Sequence, residues 1–96
     1  MTERKLDELV PVWVETISKP LEHGTLYISE KYGTAIHLCA CGCGNETVMP
    51  FQPFWPEGWS YGNNDGFVTF APSVGNMGFC PNKAHYFIER NQVRWC

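Results

Sequence analysis

Residues 25–44 read TLYISEKYGTAIHLCACGCG, and this stretch carries the two patterns that decide the fold. Apolar and polar side chains alternate in residues 25–29 and again in 34–39, which is the period-two pattern of half-buried β-strands. The segment between them ends in glycine and is typical of a turn, so the two strands are predicted to form a hairpin. The alternation places His37 and Cys39 on one face of the second strand. We therefore expect a β-hairpin that delivers a histidine and a cysteine to the same side of a sheet.

Short segments with the same period recur after the hairpin. The predicted strands are residues 47–49, 67–70, 85–88 and 93–95, and the last two form a second hairpin. Residues 50–66 are predicted to form a loop rich in proline and aromatic residues that ends in an Asp-Gly turn, and residues 71–81 a second loop. The predicted fold class is therefore mostly β, with a small antiparallel sheet or hairpins in a single domain of residues 1–96.

A helical spacing of apolar residues occurs near the N-terminus alone. Leu6, Leu9 and Val10 have this spacing, but Pro11 interrupts it. We expect at most one short N-terminal helix, with residues 12–17 already extended.

The composition excludes several classes of protein. Of the 96 residues, 44% are hydrophobic and 18% charged, which indicates a globular protein rather than a disordered one. A net charge of −3 without a basic run argues against a nucleic-acid partner. No apolar stretch approaches the ~20 residues that cross a membrane, and the charged N-terminus is unlike a signal peptide. We therefore expect a cytoplasmic protein that binds neither nucleic acid nor membrane.

Most of the cysteine lies in the HLCACGCG segment, which is typical of a metal site. A reducing compartment favours metal ligation over disulfides, and Gly42 and Gly44 allow the backbone to turn around an ion. The predicted ligands of a Zn²⁺ ion are Cys39, Cys41, Cys43 and Cys80. His85 or His37 can replace Cys39 in this set. The ion would stabilise a core that is small for an independent domain, although buried, metal-free cysteines remain an alternative.

Ser73 lies in the segment APSVGN and is a candidate nucleophile. Either His85 or His37 would act as its base, and Asn76 or Asp65 would orient that base. The backbone amides of Val74, Gly75 and Asn76 are candidate oxyanion donors. The segment lacks the pattern of a nucleophile elbow, and a serine between proline and glycine is more often a turn residue. A thiol mechanism, with Cys39 or Cys41 as nucleophile beside His37, is a further alternative.

Four segments in this order resemble BubE, a small family of bacterial and phage proteins. The segments are GTLYIS from Gly24, HLCACGCG from His37, PSVGN from Pro72, and Cys80 followed by HYFI from His85 and VRW from Val93. Members occur in bacterial ubiquitin-like conjugation operons and are regarded as processing or deconjugating proteases. The resemblance covers roughly residues 20–96.

The resemblance implies a peptidase that processes or deconjugates a bacterial ubiquitin-like protein. It makes Ser73 and a nearby histidine the leading catalytic candidates. The expected partner is the C-terminal tail of the ubiquitin-like protein, or its conjugates, with the proline- and tryptophan-rich loop as a receiving surface. The alternative function is a zinc-binding module that binds a partner without catalysis.

Overall fold

The structure is a computed structural model that describes residues 6–75, 80–81 and 83–96. Within these residues the chain forms eight β-strands in two four-stranded sheets. The strands are β1 Val10–Trp13, β2 Thr25–Ser29, β3 Thr34–Leu38, β4 Glu46–Pro50, β5 Ser60–Asn64, β6 Phe67–Gly75, β7 His85–Glu89 and β8 Gln92–Trp95. The mostly β fold is therefore confirmed. None of the described residues belongs to a helix long and apolar enough to cross a membrane.

The first sheet has the strand order β1-β2-β3-β4 and contains the predicted hairpin of β2 and β3. Its β1 strand pairs parallel to β2, and the sequence patterns did not predict this pairing. A short helix was the most that we expected near Leu6, whereas the described residues continue from a bend and a bridge into β1. Pro11 fits this strand because an edge strand bonds through one side of its backbone only.

The second sheet has the strand order β5-β6-β7-β8, and all its strands are antiparallel. The predicted C-terminal hairpin is confirmed, with Arg90 and Asn91 forming its turn at φ values of 49° and 69°. Two predicted loops are wrong in part. Residues 60–64 of the first form β5, and residues 71–75 of the second continue β6, so Ser73 lies on a strand.

One cluster of buried side chains combines residues from the inner faces of both sheets. Its largest members include Phe51, Phe70 and Tyr86, and the ring centroids of Phe51 and Phe70 are 5.9 Å apart. Tyr86 of β7 also reaches the first sheet, where its hydroxyl lies 2.7 Å from Nε2 of His37 in β3. The sheets are thus joined by apolar packing and by a buried hydrogen bond.

Candidate active site and metal centre

Ser73 and His85 meet on the outer face of the second sheet. Val74 pairs with Tyr86, and both side chains point into the core, so the preceding residue of each strand points outward. The Oγ atom of Ser73 lies 2.7 Å from Nε2 of His85, and both residues are half-buried. The predicted nucleophile and one of its two predicted bases are therefore within hydrogen-bonding distance, at a surface that a substrate can reach.

A β-bulge lies directly before this pair. Phe70 pairs with Ile88 and Val74 with Tyr86, so a four-residue step along β6 matches a two-residue step along β7. The two additional residues fall in the Ala-Pro-Ser segment, where Pro72 has no N–H to donate to the neighbouring strand. Bulges change the direction of side chains and occur often beside active sites. The proline-containing segment predicted as a loop is thus an irregular part of a strand that turns Ser73 toward His85.

A distance of 2.7 Å suits a hydrogen bond from the serine hydroxyl to an imidazole nitrogen. When the ring proton is on Nδ1, Nε2 accepts this bond, and the histidine is placed to take the serine proton. Gly75 lies directly across from His85, and a Cβ atom there would lie 3.8 Å from Cδ2 of the ring. Asn76 lies outside the described residues. Asp65 is in the turn between β5 and β6, at the other end of β6 from Ser73, and is not positioned to orient His85.

His37, the other predicted base, lies in the interior between the sheets. Its Nε2 atom is 2.7 Å from the Tyr86 hydroxyl, and its Nδ1 atom has no hydrogen-bond partner in the part of the chain that the structure describes. Burial lowers the pKa of His37 from 6.5 to about 4, because the charged form loses its hydration. His37 is therefore neutral near pH 7, and it is paired with Tyr86 while His85 is paired with Ser73.

The four predicted metal ligands form a compact group of thiols. The Sγ atoms of Cys39, Cys41, Cys43 and Cys80 all lie within 4.8 Å of one another. Three pairs are 3.3 to 3.9 Å apart, compared with about 3.8 Å for a tetrahedral zinc site with bonds of about 2.3 Å. Three of the four residues are buried, and neither His37 nor His85 belongs to the group. The donor set and its spacing thus fit a metal ion.

Two glycines allow the chain to turn between these thiols. Gly42 and Gly44 have φ values of 92° and 88°, which side chains with a Cβ rarely adopt. The amide of Gly42 donates to the carbonyl of Cys39, and the side-chain amide of Asn45 lies 3.3 Å from the sulfur of Cys43. Amide donors of this kind stabilise thiolate ligands. The local sequence is therefore sufficient to build three of the four ligand positions.

Tyr86 lies beside His85 in β7 and contacts the segment that carries three of the clustered cysteines, and no sequence pattern indicates this contact. Its hydroxyl bonds to His37 and also lies 3.4 Å from the amide of Ala40, between two of the cysteines. Its neighbour in β7 is His85, and Cys80 lies five residues before that histidine. Alternation alone marks Tyr86 as a core residue, but no sequence signal shows which backbone group its hydroxyl contacts.

The chain was compared with family models, with curated proteins and with solved structures. The model of the family described as bacterial ubiquitination-like system serine protease (BubE) matches residues 13–96. No curated protein and no solved structure matches the chain. The matched span includes Ser73, His85 and all four clustered cysteines. The chain therefore belongs to the BubE family of bacterial ubiquitination-like system serine proteases.

Proposed function

We propose that this protein is a serine peptidase that cleaves after the C-terminal tail of a bacterial ubiquitin-like protein, with Ser73 as nucleophile and His85 as general base. The observation that supports it most is the 2.7 Å contact between Ser73 Oγ and His85 Nε2 on an accessible sheet face. Family membership supports the reaction class. The protein would process a precursor of the ubiquitin-like protein or release it from its conjugates, in the cytoplasm.

The reaction follows from the chemistry of the pair. Ser73 Oγ attacks the carbonyl carbon at the scissile bond while its proton passes to Nε2 of His85. The tetrahedral intermediate carries its charge on the carbonyl oxygen, and the amides of Gly75 and Asn76 are the proposed donors to that oxygen. Collapse breaks the bond to the leaving group, which takes the proton from His85. A water molecule, deprotonated by His85, then hydrolyses the acyl-enzyme and restores Ser73.

The four cysteines are proposed to hold a structural Zn²⁺ ion. A closed set of four thiolates leaves no ligand position open for water or substrate, which is typical of structural rather than catalytic zinc sites. When bound, the ion would cross-link the turn that carries Cys39, Cys41 and Cys43 to Cys80. Because Cys80 precedes β7 by five positions, the cross-link would fix the start of the strand that carries His85.

The thiol mechanism has less support. Cys39 and Cys41 are buried, and their sulfur atoms lie 3.4 Å apart within the metal-binding group. His37 is neutral and bonded to the hydroxyl of Tyr86. A thiolate that is occupied as a metal ligand and shielded from solvent is a poor nucleophile for a peptide substrate.

Cleavage of a precursor tests the proposal. A ubiquitin-like protein with extra residues after its C-terminal tail should be shortened by the wild type and left intact by Ser73→Ala. Ser60→Ala is the matched control, because Ser60 is an exposed serine on the neighbouring strand β5 and should keep full activity. Undiminished cleavage by Ser73→Ala would contradict the proposal. Loss of cleavage in both variants would also contradict it, because the effect would not be specific to Ser73.

A further inference from the structure

The outer face of the second sheet extends beyond Ser73 and His85 toward the β7–β8 turn. Outward-pointing residues follow one another along β7 at every second position, from His85 through Phe87 to Glu89. Glu89 pairs with Gln92, and this end of the face also includes Gly62 paired with Thr69. The candidate nucleophile therefore lies at one end of a continuous, solvent-facing surface.

An open cavity of about 800 Å³ lies at the other end of this surface. Its lining includes Gly62, Thr69 and Gln92, together with Phe67 and Arg90. Gly62 leaves space there, because a Cβ atom at this position would meet nothing within 4 Å. The cavity thus combines hydrogen-bonding groups with one apolar ring, and it is wide enough for a side chain.

Arg90 gives the cavity a positive charge that no described carboxylate neutralises. Its guanidinium lies over the ring of Phe67, 4.8 Å from the centroid. The carboxylate of Glu89, which also lines the cavity, is paired with Arg94 at 2.5 Å. Among the described residues no carboxylate oxygen lies within 4 Å of the Arg90 guanidinium. This surface is therefore complementary to a negatively charged group.

The distance along the sheet sets the position of such a group in a substrate. Glu89 lies four positions after His85 along β7, which corresponds to about 13 Å. An extended peptide covers the same distance with four residues. Enzymes that act on many conjugates of one protein must recognise the part that those conjugates share, and this part lies N-terminal to the scissile bond.

On the basis of the proposed function, we infer that this cavity binds an acidic side chain of the substrate four residues before the scissile bond. Arg90 is the specificity-determining residue, and Phe87, which lies between His85 and Glu89 on the same face of β7, contacts the substrate. The occupant is thus an extended, acidic tail segment of the protein that the enzyme releases.

A panel of fluorogenic peptides tests this inference. The peptides differ only at the fourth residue before the cleaved bond, which is Asp, Ala or Lys. For the wild type we expect kcat/KM to be about threefold higher with Asp than with Ala, and lower with Lys, as for a solvent-exposed ion pair. Arg90→Asn, which tolerates the φ of 49° at this turn, should lose the preference. Arg90→Asp should invert it.

Lys31→Gln is the matched control, because it removes one exposed positive charge from the turn between β2 and β3 and should keep the preference for Asp. Equal rates with all three peptides would overturn the inference, as would an unchanged preference in Arg90→Asn. Binding of the same peptides to Ser73→Ala, measured by fluorescence anisotropy, separates this inference from the proposed function. A charge preference in binding that depends on Arg90 supports the cavity even if the wild type hydrolyses none of the peptides, and its absence there overturns it.

Discussion

Cys80 of the four-cysteine cluster and His85 of the Ser73–His85 pair are five positions apart in the chain. The cluster and the pair nevertheless lie in opposite environments. Three of the four cysteines are buried, and their Sγ atoms all lie within 4.8 Å of one another. The pair is half-buried on the outer face of a sheet, and its two side chains are open to a substrate. The clustered thiols therefore lie mostly inside the protein, whereas the hydroxyl of the proposed nucleophile lies near its surface.

Removal of the base should produce the largest effect on activity and almost none on stability. We expect His85→Gln to lower kcat by about 10³-fold or more, because the serine hydroxyl is a weak nucleophile without a base. The melting temperature should change by no more than about 2 °C, since the side chain is half-buried at the sheet surface. The measurements are initial rates on the precursor and thermal unfolding followed by circular dichroism.

His23→Gln is the control for this comparison, because His23 lies in the loop before β2 and belongs to neither site. It should retain the wild-type rate. A decrease of less than tenfold in His85→Gln would show that the histidine does not act as the base.

Removal of a clustered thiol should instead affect fold and activity together. Cys41→Ser is expected to release the proposed Zn²⁺ ion and to lower the melting temperature by roughly 10 °C or more, because a small domain depends strongly on such a cross-link. Metal content by mass spectrometry and thermal unfolding provide the measurements. Cys96→Ser, at an exposed cysteine outside the cluster, should change neither quantity. A stable, fully active Cys41→Ser protein would remove the structural role from the cluster.

Removal of the Tyr86 hydroxyl should have an intermediate effect on the free energy of unfolding. Tyr86→Phe leaves Nε2 of His37 and the amide of Ala40 without this partner in the interior, which costs about 1–3 kcal/mol of unfolding free energy. Tyr27→Phe is the matched control, since its hydroxyl accepts a bond from the amide of Glu22 at the surface and should cost less than about 0.5 kcal/mol. Urea denaturation measures both values, and equal costs would contradict the linking role of Tyr86.

The smallest effect is expected at Gly44, which directly follows Cys43 of the four-cysteine cluster. Gly44 has a φ of 88° with open space around it, so Gly44→Ala meets strain in the backbone but no clash, and should cost about 1 kcal/mol. Gly62→Ala also enters open space but at an ordinary φ, and should be nearly neutral. Urea denaturation of the two variants isolates the contribution of the left-handed backbone. An equal cost in both would mean that the turn tolerates a side chain.

The two sites also differ in how far the sequence predicts them. Cys39, Cys41 and Cys43 are close in the chain, so their convergence follows from local geometry and two glycines. The β2–β3 and β7–β8 hairpins likewise follow from alternation and short turns. The choice between His85 and His37 as partner of Ser73 depends on strand register, and a bulge changed that register by two residues.

Other features of the fold depend on contacts between distant residues. The parallel pairing of β1 with β2 and the contact of Tyr86 with Ala40 join segments that no local pattern relates. From residue 6 onward, where the structure describes the N-terminal segment, the helical spacing of Leu6, Leu9 and Val10 does not form a helix. Pro11 leaves so few residues for helical turns that an edge strand is the more stable alternative. Local patterns thus predicted most of the strands, but not β5 or the second half of β6. The contact between Ser73 and His85 depends on how β6 and β7 pair, which no local pattern shows.

A covalent serine probe tests directly whether Ser73 is a nucleophile activated by His85. The native protein, treated with a fluorophosphonate and digested, should yield one modified peptide with the adduct on Oγ of Ser73. His85→Gln should reduce the rate of labelling strongly, because the base activates that hydroxyl, and Ser60→Ala should leave it unchanged. We expect rapid modification of Ser73 that depends on His85. An adduct on another residue, or labelling of Ser73 at the same rate in His85→Gln, would contradict it.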